Sequence, residues 1–237
     1  MDMVLIDSHC HLDRLPKYRI PEGILPVTAG YSHSSNRKAA KIAERLGIPF
    51  VLGIAPQTAI KEDISRLDEW VAFIRQGKPN AIGEIGLDYH WAKSEQDVRK
   101  EEAVYERMLE LAEEMRLPVV VHARQAAHDT LDFLQLRNFS HGFMLHFFSG
   151  TLSDAKRAAD MGGLVSIPPL HSKERRQAIE ALDLDHLLVE TDAPYAARTP
   201  GEVVKAVEYI AEVKGVRKET VARKTAENAK RFFRIKV

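Results

Sequence analysis

Short apolar runs recur along this 237-residue chain, and longer segments with apolar residues at every third or fourth position separate them. Uniformly apolar runs are typical of strands covered on both faces, and the longer periodicity is typical of helices that bury one side. The pattern predicts eight strands: Val4–Ser8, Ile24–Ala29, Phe50–Ile54, Ala81–Ile85, Val119–His122, Met144–Phe147, Leu164–Ile167 and Leu187–Glu190. It also predicts eight helices: Asn36–Leu46, Ile64–Arg75, Glu101–Met115, Ala126–Gln135, Thr151–Met161, Lys173–Ala181, Glu202–Val213 and Lys218–Phe233.

This alternation of strands and helices predicts an α/β fold with a parallel sheet, and eight repeats indicate that the sheet closes on itself. Helix-ending signals such as Gly47-Ile48-Pro49 and Leu117-Pro118 stand directly before predicted strands. We see no linker or low-complexity tract, and barrels of this length commonly form one domain. We therefore expect a (β/α)8 TIM barrel in a single domain, residues 1–237, with a C-terminal helix.

Residues of the types that bind metal ions follow the apolar runs of the predicted strands. They are His9, His11, Glu84, His122, His146 and Asp192. In a barrel of parallel strands, the C-terminal strand ends converge on the face where active sites lie. We therefore expect these side chains to meet at the mouth of the barrel.

The first of these motifs is Asp7-Ser8-His9-Cys10-His11. Side chains two positions apart on a strand point to the same face, so His9 and His11 can reach one ion, whereas Cys10 points toward the helical layer. An isolated His-x-His pair would favour two hydrogen-bonded histidines in a loop. The recurrence of ligand-type residues on later strands favours a metal site instead.

Glu84 and Arg124 have two interpretations each, and Asp192 can have two roles. Glu84 is either salt-bridged inside the barrel or bridges two ions through its two oxygens, since carboxylates are rarely buried without a partner. Arg124 lies two positions after His122 and could hold a phosphate in a bidentate fork or pair with a loop carboxylate, and we weigh these equally. Asp192 can bind an ion and accept a proton from the attacking water.

Composition and charge restrict the classes of partner. Lysine plus arginine and aspartate plus glutamate each number 34, so no global field attracts nucleic acid or a membrane. Cys10 is the single cysteine, which excludes an internal disulfide framework, and no apolar run approaches the length of a membrane span. With no segment resembling a signal peptide, these features predict a cytoplasmic protein.

Five motifs together make the chain resemble the TatD family of metal-dependent deoxyribonucleases, within the amidohydrolase-like barrel superfamily. They are Asp7-Ser8-His9-Cys10-His11-Leu12-Asp13, Gly83-Glu84-Ile85-Gly86-Leu87-Asp88-Tyr89, Pro118-Val119-Val120-Val121-His122-Ala123-Arg124, His146-Phe147-Phe148-Ser149-Gly150 and Glu190-Thr191-Asp192-Ala193-Pro194-Tyr195. The resemblance implies two divalent ions, one held by His9, His11, Glu84 and Asp192 and the other by Glu84, His122 and His146. Such ligands suit Zn, Mn, Ni or Co, with Mg a looser occupant.

The chain departs from the family pattern in loops on the substrate side. Where family members usually have His-Pro-His, this chain reads Ala55-Pro56-Gln57, and the loop after Tyr195 is short. We expect a two-metal hydrolase with Glu84 and Asp192 in catalysis and Arg124 in substrate binding, cleaving phosphodiester bonds at DNA ends or in short oligonucleotides. Two alternatives stay open: hydrolysis of a small-molecule ester, lactone or amide, and a metal-binding barrel that has lost catalysis.

Overall fold

The computed structural model describes residues 4–236, in which eight parallel strands form one sheet in chain order. The strands are β1 (Leu5–Cys10), β2 (Ile24–Ala29), β3 (Phe50–Leu52), β4 (Ala81–Asp88), β5 (Val119–Arg124), β6 (Phe143–Leu145), β7 (Leu164–Ile167) and β8 (Leu187–Val189). Each strand pairs with the next one along the chain in parallel register. This arrangement confirms the predicted (β/α)8 barrel.

Helices connect successive strands and follow the last one. They are α1 (His33–Leu46), α2 (Pro56–Lys61), α3 (Leu67–Gly77), α4 (Glu95–Met115), α5 (Ala127–Leu136), α6 (Leu152–Asp160), α7 (Lys173–Ala181), α8 (Val203–Lys214) and α9 (Lys218–Phe233). Within residues 4–236, none of these helices is long and apolar enough to cross a membrane.

The predicted start of α4 at Glu101 is wrong, because the helix begins six residues earlier. Ser94 and Asp97 form a capping box there: the Ser94 hydroxyl accepts from the Asp97 N–H, and the Asp97 carboxylate accepts from the Ser94 N–H. Caps of this kind satisfy backbone N–H groups that have no partner inside the helix. The first turn is polar, so apolar periodicity alone did not reveal it.

Helix α2 was not predicted. It begins at Pro56, where the fixed φ of proline suits the first turn of a helix, and its six residues are too few to show a period. The helix places Gln57 and Lys61 on the wall of a cleft that opens at the C-terminal ends of the strands. Thus the segment that departs from the family pattern lies beside the candidate site.

Hydrogen bonds across the seam between β1 and β8 hold the two ends of the sheet together. The buried Asp7 carboxylate accepts from the Thr191 backbone N–H at 2.8 Å and from the Thr191 hydroxyl at 2.6 Å. One residue further, the Asp192 N–H donates to the His9 carbonyl at 2.9 Å. The seam therefore fixes Asp192 beside the two histidines of β1.

Helix α9 packs against the opposite end of the barrel. Its Phe233 is fully buried with Ile6, with Ala81 at the start of β4 and with Leu164 at the start of β7. Because these residues lie at or near the N-terminal ends of their strands, the helix leaves the C-terminal ends to form the mouth.

Candidate metal centre

All six predicted ligand-type residues converge at the C-terminal ends of the strands. Five of them are buried, and the His122 side chain is partly exposed. The predicted ends of several strands shift without moving these side chains: β4 continues to Asp88 and β5 to Arg124, whereas β6 ends at Leu145, one residue before His146.

The Glu84 carboxylate lies between two pairs of histidines, with one oxygen toward each pair. Its Oε1 is 3.4 Å from His9 Nε2 and 3.1 Å from His11 Nε2. Its Oε2 is 3.2 Å from His146 Nε2 and 3.6 Å from His122 Nδ1. A carboxylate in this position can bind one ion through each oxygen.

Asp192 completes the group of donor atoms around His9 and His11. Its Oδ1 lies 3.2 Å from His11 Nε2 and 3.7 Å from His9 Nε2. Asp192 has a positive φ of 46°, which is unusual for a residue other than glycine and is typical of strained positions at functional sites. Its bond to the His9 carbonyl holds it in this conformation.

A glycine lets β4 and β5 approach closely enough to bring Glu84 and His122 together. Gly86 has a φ of 134°, and a Cβ atom there would lie 2.1 Å from the His122 carbonyl oxygen. No other residue fits this position without moving β5, so the glycine two residues after Glu84 is required by the geometry of the centre.

A carbonyl and a carboxylate form hydrogen bonds with the outward-facing nitrogens of two histidines, and a second carboxylate lies near the outward-facing nitrogen of a third. His11 Nδ1 lies 3.0 Å from the Ala29 carbonyl, and His122 Nε2 lies 2.7 Å from Asp88 Oδ2. His146 Nδ1 lies 3.7 Å from Glu190 Oε1. Such partners favour the tautomer whose other ring nitrogen is free to bind an ion.

Asp88 and Gln57 were not predicted to have roles. The Gln57 amide donates to Asp88 Oδ2 at 2.6 Å and also lies 3.2 Å from His122 Nε2. Side chains alternate along a strand, so the spacing from Glu84 to Asp88 would have indicated a shared face if the strand had been predicted to reach Asp88. Gln57 could not be found this way, because it approaches from α2.

Glu190, the first residue of the last of the five motifs, is fully buried beside His146. Its Oε1 accepts from the Phe147 N–H at 2.6 Å. This bond fixes the backbone next to His146.

The buried charges at the centre shift one another's pKa. Burial acts against the charged form of His11, but Glu84 and Asp192 outweigh it and raise the pKa of His11 well above its ordinary value. Burial is likewise outweighed at His146, where Glu84 and Glu190 raise the pKa to about 10. Burial raises the pKa of Glu84, yet the neighbouring histidines hold it well below its usual range. Protons and cations therefore compete for the same nitrogens.

A cleft of about 750 Å³ opens directly above these side chains. Arg124 lies on its wall at the exposed end of β5, and Arg14 and Lys61 line it as well. Tyr195 and Phe147 contribute aromatic surface. The cleft gives a substrate direct access to Glu84 and Asp192.

The donor atoms are of the types that bind divalent transition-metal ions such as Zn²⁺. Four imidazoles and two carboxylates form overlapping groups in which all ligand atoms lie within 4.8 Å of one another. Within residues 4–236, the buried Asp192 Oδ1 has no hydrogen-bond partner. Buried carboxylate oxygens are rarely left so, and a cation would satisfy this one. The residues therefore fit a metal centre.

Comparison with known proteins gives the same class. The family model described as "TatD related DNase" matches residues 6–234. The uncharacterized metal-dependent hydrolase YabD of Bacillus subtilis is 31% identical, covering 98% of this chain and 100% of its own length. Human deoxyribonuclease TATDN3 is 30% identical, covering 97% of this chain and 94% of its own.

A solved structure shows the same fold. The crystal structure of YJJV, a TatD homologue from Escherichia coli, superimposes with a TM-score of 0.85 and 23% identity, and each chain is covered completely. The barrel, the ligand-type side chains at its mouth and these relatives define a metal-dependent hydrolase. The chain belongs to the TatD family, as its motifs predicted.

Proposed function

We propose that this enzyme hydrolyses phosphodiester bonds of DNA, at strand ends or in short oligonucleotides, with a centre for two divalent ions. The six proposed ligands form two sets that share one carboxylate: His9, His11, Glu84 and Asp192 for the first ion, and Glu84, His122 and His146 for the second. The observation that carries the proposal is the position of Glu84, whose two oxygens face two separate histidine pairs at 3.1–3.6 Å.

Divalent ions held by these ligands would polarise the attacked phosphoryl group and lower the pKa of water toward about 7. Asp192 is the proposed proton acceptor, because its carboxylate lines the cleft and could bind an ion through one oxygen while the other accepts the proton. Glu84 keeps the two sets of ligands at a fixed spacing. Arg124 presents a planar guanidinium that suits a non-bridging pair of phosphate oxygens.

The charges and size of the cleft support a short phosphodiester substrate. The net charge of the chain is zero, but Arg14, Lys61 and Arg124 gather beside the metal-ligand residues, so the attraction for phosphate is local. A cleft of about 750 Å³ is within the usual range for small-molecule sites. The relative TATDN3 is described as a deoxyribonuclease, which agrees with this substrate class.

The proposal is tested with metal-free protein, reconstituted separately with Zn²⁺, Mn²⁺, Co²⁺, Ni²⁺ and Mg²⁺. Single-stranded and duplex oligonucleotides labelled at one end are the substrates, and denaturing gels resolve the products. We expect cleavage that requires added metal and that is lost in Asp192→Asn. Cleavage that persists with chelator, or that proceeds at the wild-type rate in Asp192→Asn, would contradict the proposal.

A second candidate is hydrolysis of a small-molecule ester, lactone or amide. It is favoured by Gln57, which stands where family members usually have a histidine and whose amide is bound to Asp88. Part of the cleft wall is also apolar, through Leu145 and Phe148. Turnover of lactones or N-acyl compounds without cleavage of any phosphodiester would establish this candidate and end the nuclease proposal.

A further inference from the structure

Two pairs, each consisting of an aromatic ring and a cationic side chain, line the cleft beside the metal-ligand residues. Lys61 Nζ lies 4.7 Å from the centroid of the Trp91 ring. The Arg14 guanidinium carbon lies 4.9 Å from the centroid of the Tyr31 ring. All four side chains border the same cleft.

Each pair adjoins a different histidine of the site. The Tyr31 ring is 5.4 Å from the His11 ring. The Trp91 backbone N–H donates to Asp88 Oδ1 at 3.2 Å, and the other Asp88 oxygen binds His122. Glu84 lies between His11 and His122. A substrate bound over Glu84 would therefore lie near both aromatic–cation pairs.

Trp91 has the exposure expected of a contact residue. It lies in the turn after β4 and is 44% exposed, whereas the chain's other tryptophan, Trp70, is buried in the helical layer. The backbone N–H of Trp91 donates both to the Asp88 carboxylate and to the Asp88 carbonyl, so the main chain that carries the ring is fixed beside the site.

We propose that Trp91 and Lys61 form a nucleotide subsite: the indole ring stacks on a nucleobase next to the cleaved bond, and the Lys61 ammonium binds the phosphate attached to that nucleoside. Proteins commonly bind single-stranded nucleic acid by stacking its bases on aromatic rings. A cation close to such a ring can bind the negatively charged phosphate of the same nucleotide. This inference rests on the proposed phosphodiester substrate. Apart from Glu84 and Asp192, one carboxylate, Glu62, borders the cleft, and the cations Arg14, Lys61 and Arg124 outnumber it.

The fluorescence of Trp91 tests the subsite without any turnover. Purified protein with Mg²⁺ is titrated with 2′-deoxyadenosine 5′-monophosphate, and separately with 2-deoxyribose 5-phosphate, which lacks the base. We expect saturable quenching by the nucleotide only. Trp91→Phe keeps an aromatic ring, so its affinity for the nucleotide, measured by calorimetry, should stay within about threefold of wild type. The quenching should disappear, because the remaining fluorescence comes from the buried Trp70 and stays constant.

Removal of the ring gives the quantitative test. Trp91→Ala should weaken binding of the nucleotide about tenfold, the loss expected for one base–aromatic stack, and should leave binding of 2-deoxyribose 5-phosphate unchanged. Lys61→Met should weaken the binding of both ligands. Tyr18→Ala is the matched control, because Arg45 lies over the Tyr18 ring in the same type of pair but outside the cleft.

Equal quenching by the two ligands, or wild-type nucleotide affinity in Trp91→Ala, would overturn the subsite. The subsite and the proposed nuclease function can be contradicted independently of each other. Oligonucleotide cleavage without selective quenching would overturn the subsite alone. Selective quenching in a protein that cleaves no phosphodiester would support the subsite and overturn the nuclease proposal.

Discussion

Substitution of Glu84 by glutamine tests the role of the shared carboxylate in the metal centre. Glutamine has nearly the same size but removes the negative charge that would offset two divalent cations. The histidine nitrogens that would share ions with Glu84 lie 3.1–3.6 Å from its oxygens, so each ion would be within about 4 Å of the carboxylate. At that separation one pair of unit charges contributes about 4 kcal/mol with an effective dielectric constant near 20.

A loss of about 4 kcal/mol corresponds to roughly three orders of magnitude in affinity. Glu84→Gln should therefore lose at least one ion, measured as ions per chain by elemental analysis after dialysis and as affinity by calorimetry. The melting temperature of the metal-free protein should change far less, because the barrel is held together by apolar contacts such as those of Ile82, Val120 and Leu188. His146→Ala is the control and should lose only the second ion. Two ions per chain with wild-type turnover in Glu84→Gln would refute the assignment.

Three further predictions follow from residues around the centre. Asp88→Asn should lower the affinity for the second ion about 10- to 100-fold, measured by calorimetry, because His122 loses the carboxylate that orients it; unchanged affinity would argue against this role. Asp192→Asn should lower turnover at saturating metal by about 10²–10⁴-fold, and a loss below tenfold would mean that another group accepts the proton. Burial raises the pKa of Glu101 to about 7 in the folded protein, so the folded state favours the protonated carboxyl. The contribution of Glu101 to the free energy of unfolding is therefore complete below about pH 4.5 and is lost as the pH rises through about 7. Glu101→Gln should remove this loss, because glutamine does not ionise. In urea unfolding of the metal-free protein, the free energy of unfolding of the variant minus that of wild type should rise by up to about 2 kcal/mol between pH 5 and pH 8. Parallel pH profiles of the two proteins would contradict this prediction.

The fold and the ligand-type residues could be predicted because each depends on a short stretch of sequence. The apolar runs before Glu84 and His122 mark buried strands, and His9 and His11 share a face because strand side chains alternate. Parallel strands of a closed sheet end on one face, so these local signals were sufficient to bring all six residues together.

The contacts around those residues could not be predicted, because they join segments that carry no common pattern. Gln57 reaches Asp88 from a six-residue helix that shows no periodicity. Glu101 accepts a hydrogen bond from the Asp88 N–H because α4 packs along β4, and the sequence does not reveal that packing. Trp91 lies in a turn, where neither period nor burial indicates the direction of a side chain.

Anomalous diffraction from crystals grown with Zn²⁺ shows whether two ions bind on either side of Glu84. We expect two peaks at the zinc edge, about 3.5–4 Å apart, one near His9 and His11 and the other near His122 and His146. A single peak, or peaks away from these side chains at full zinc occupancy, would contradict it.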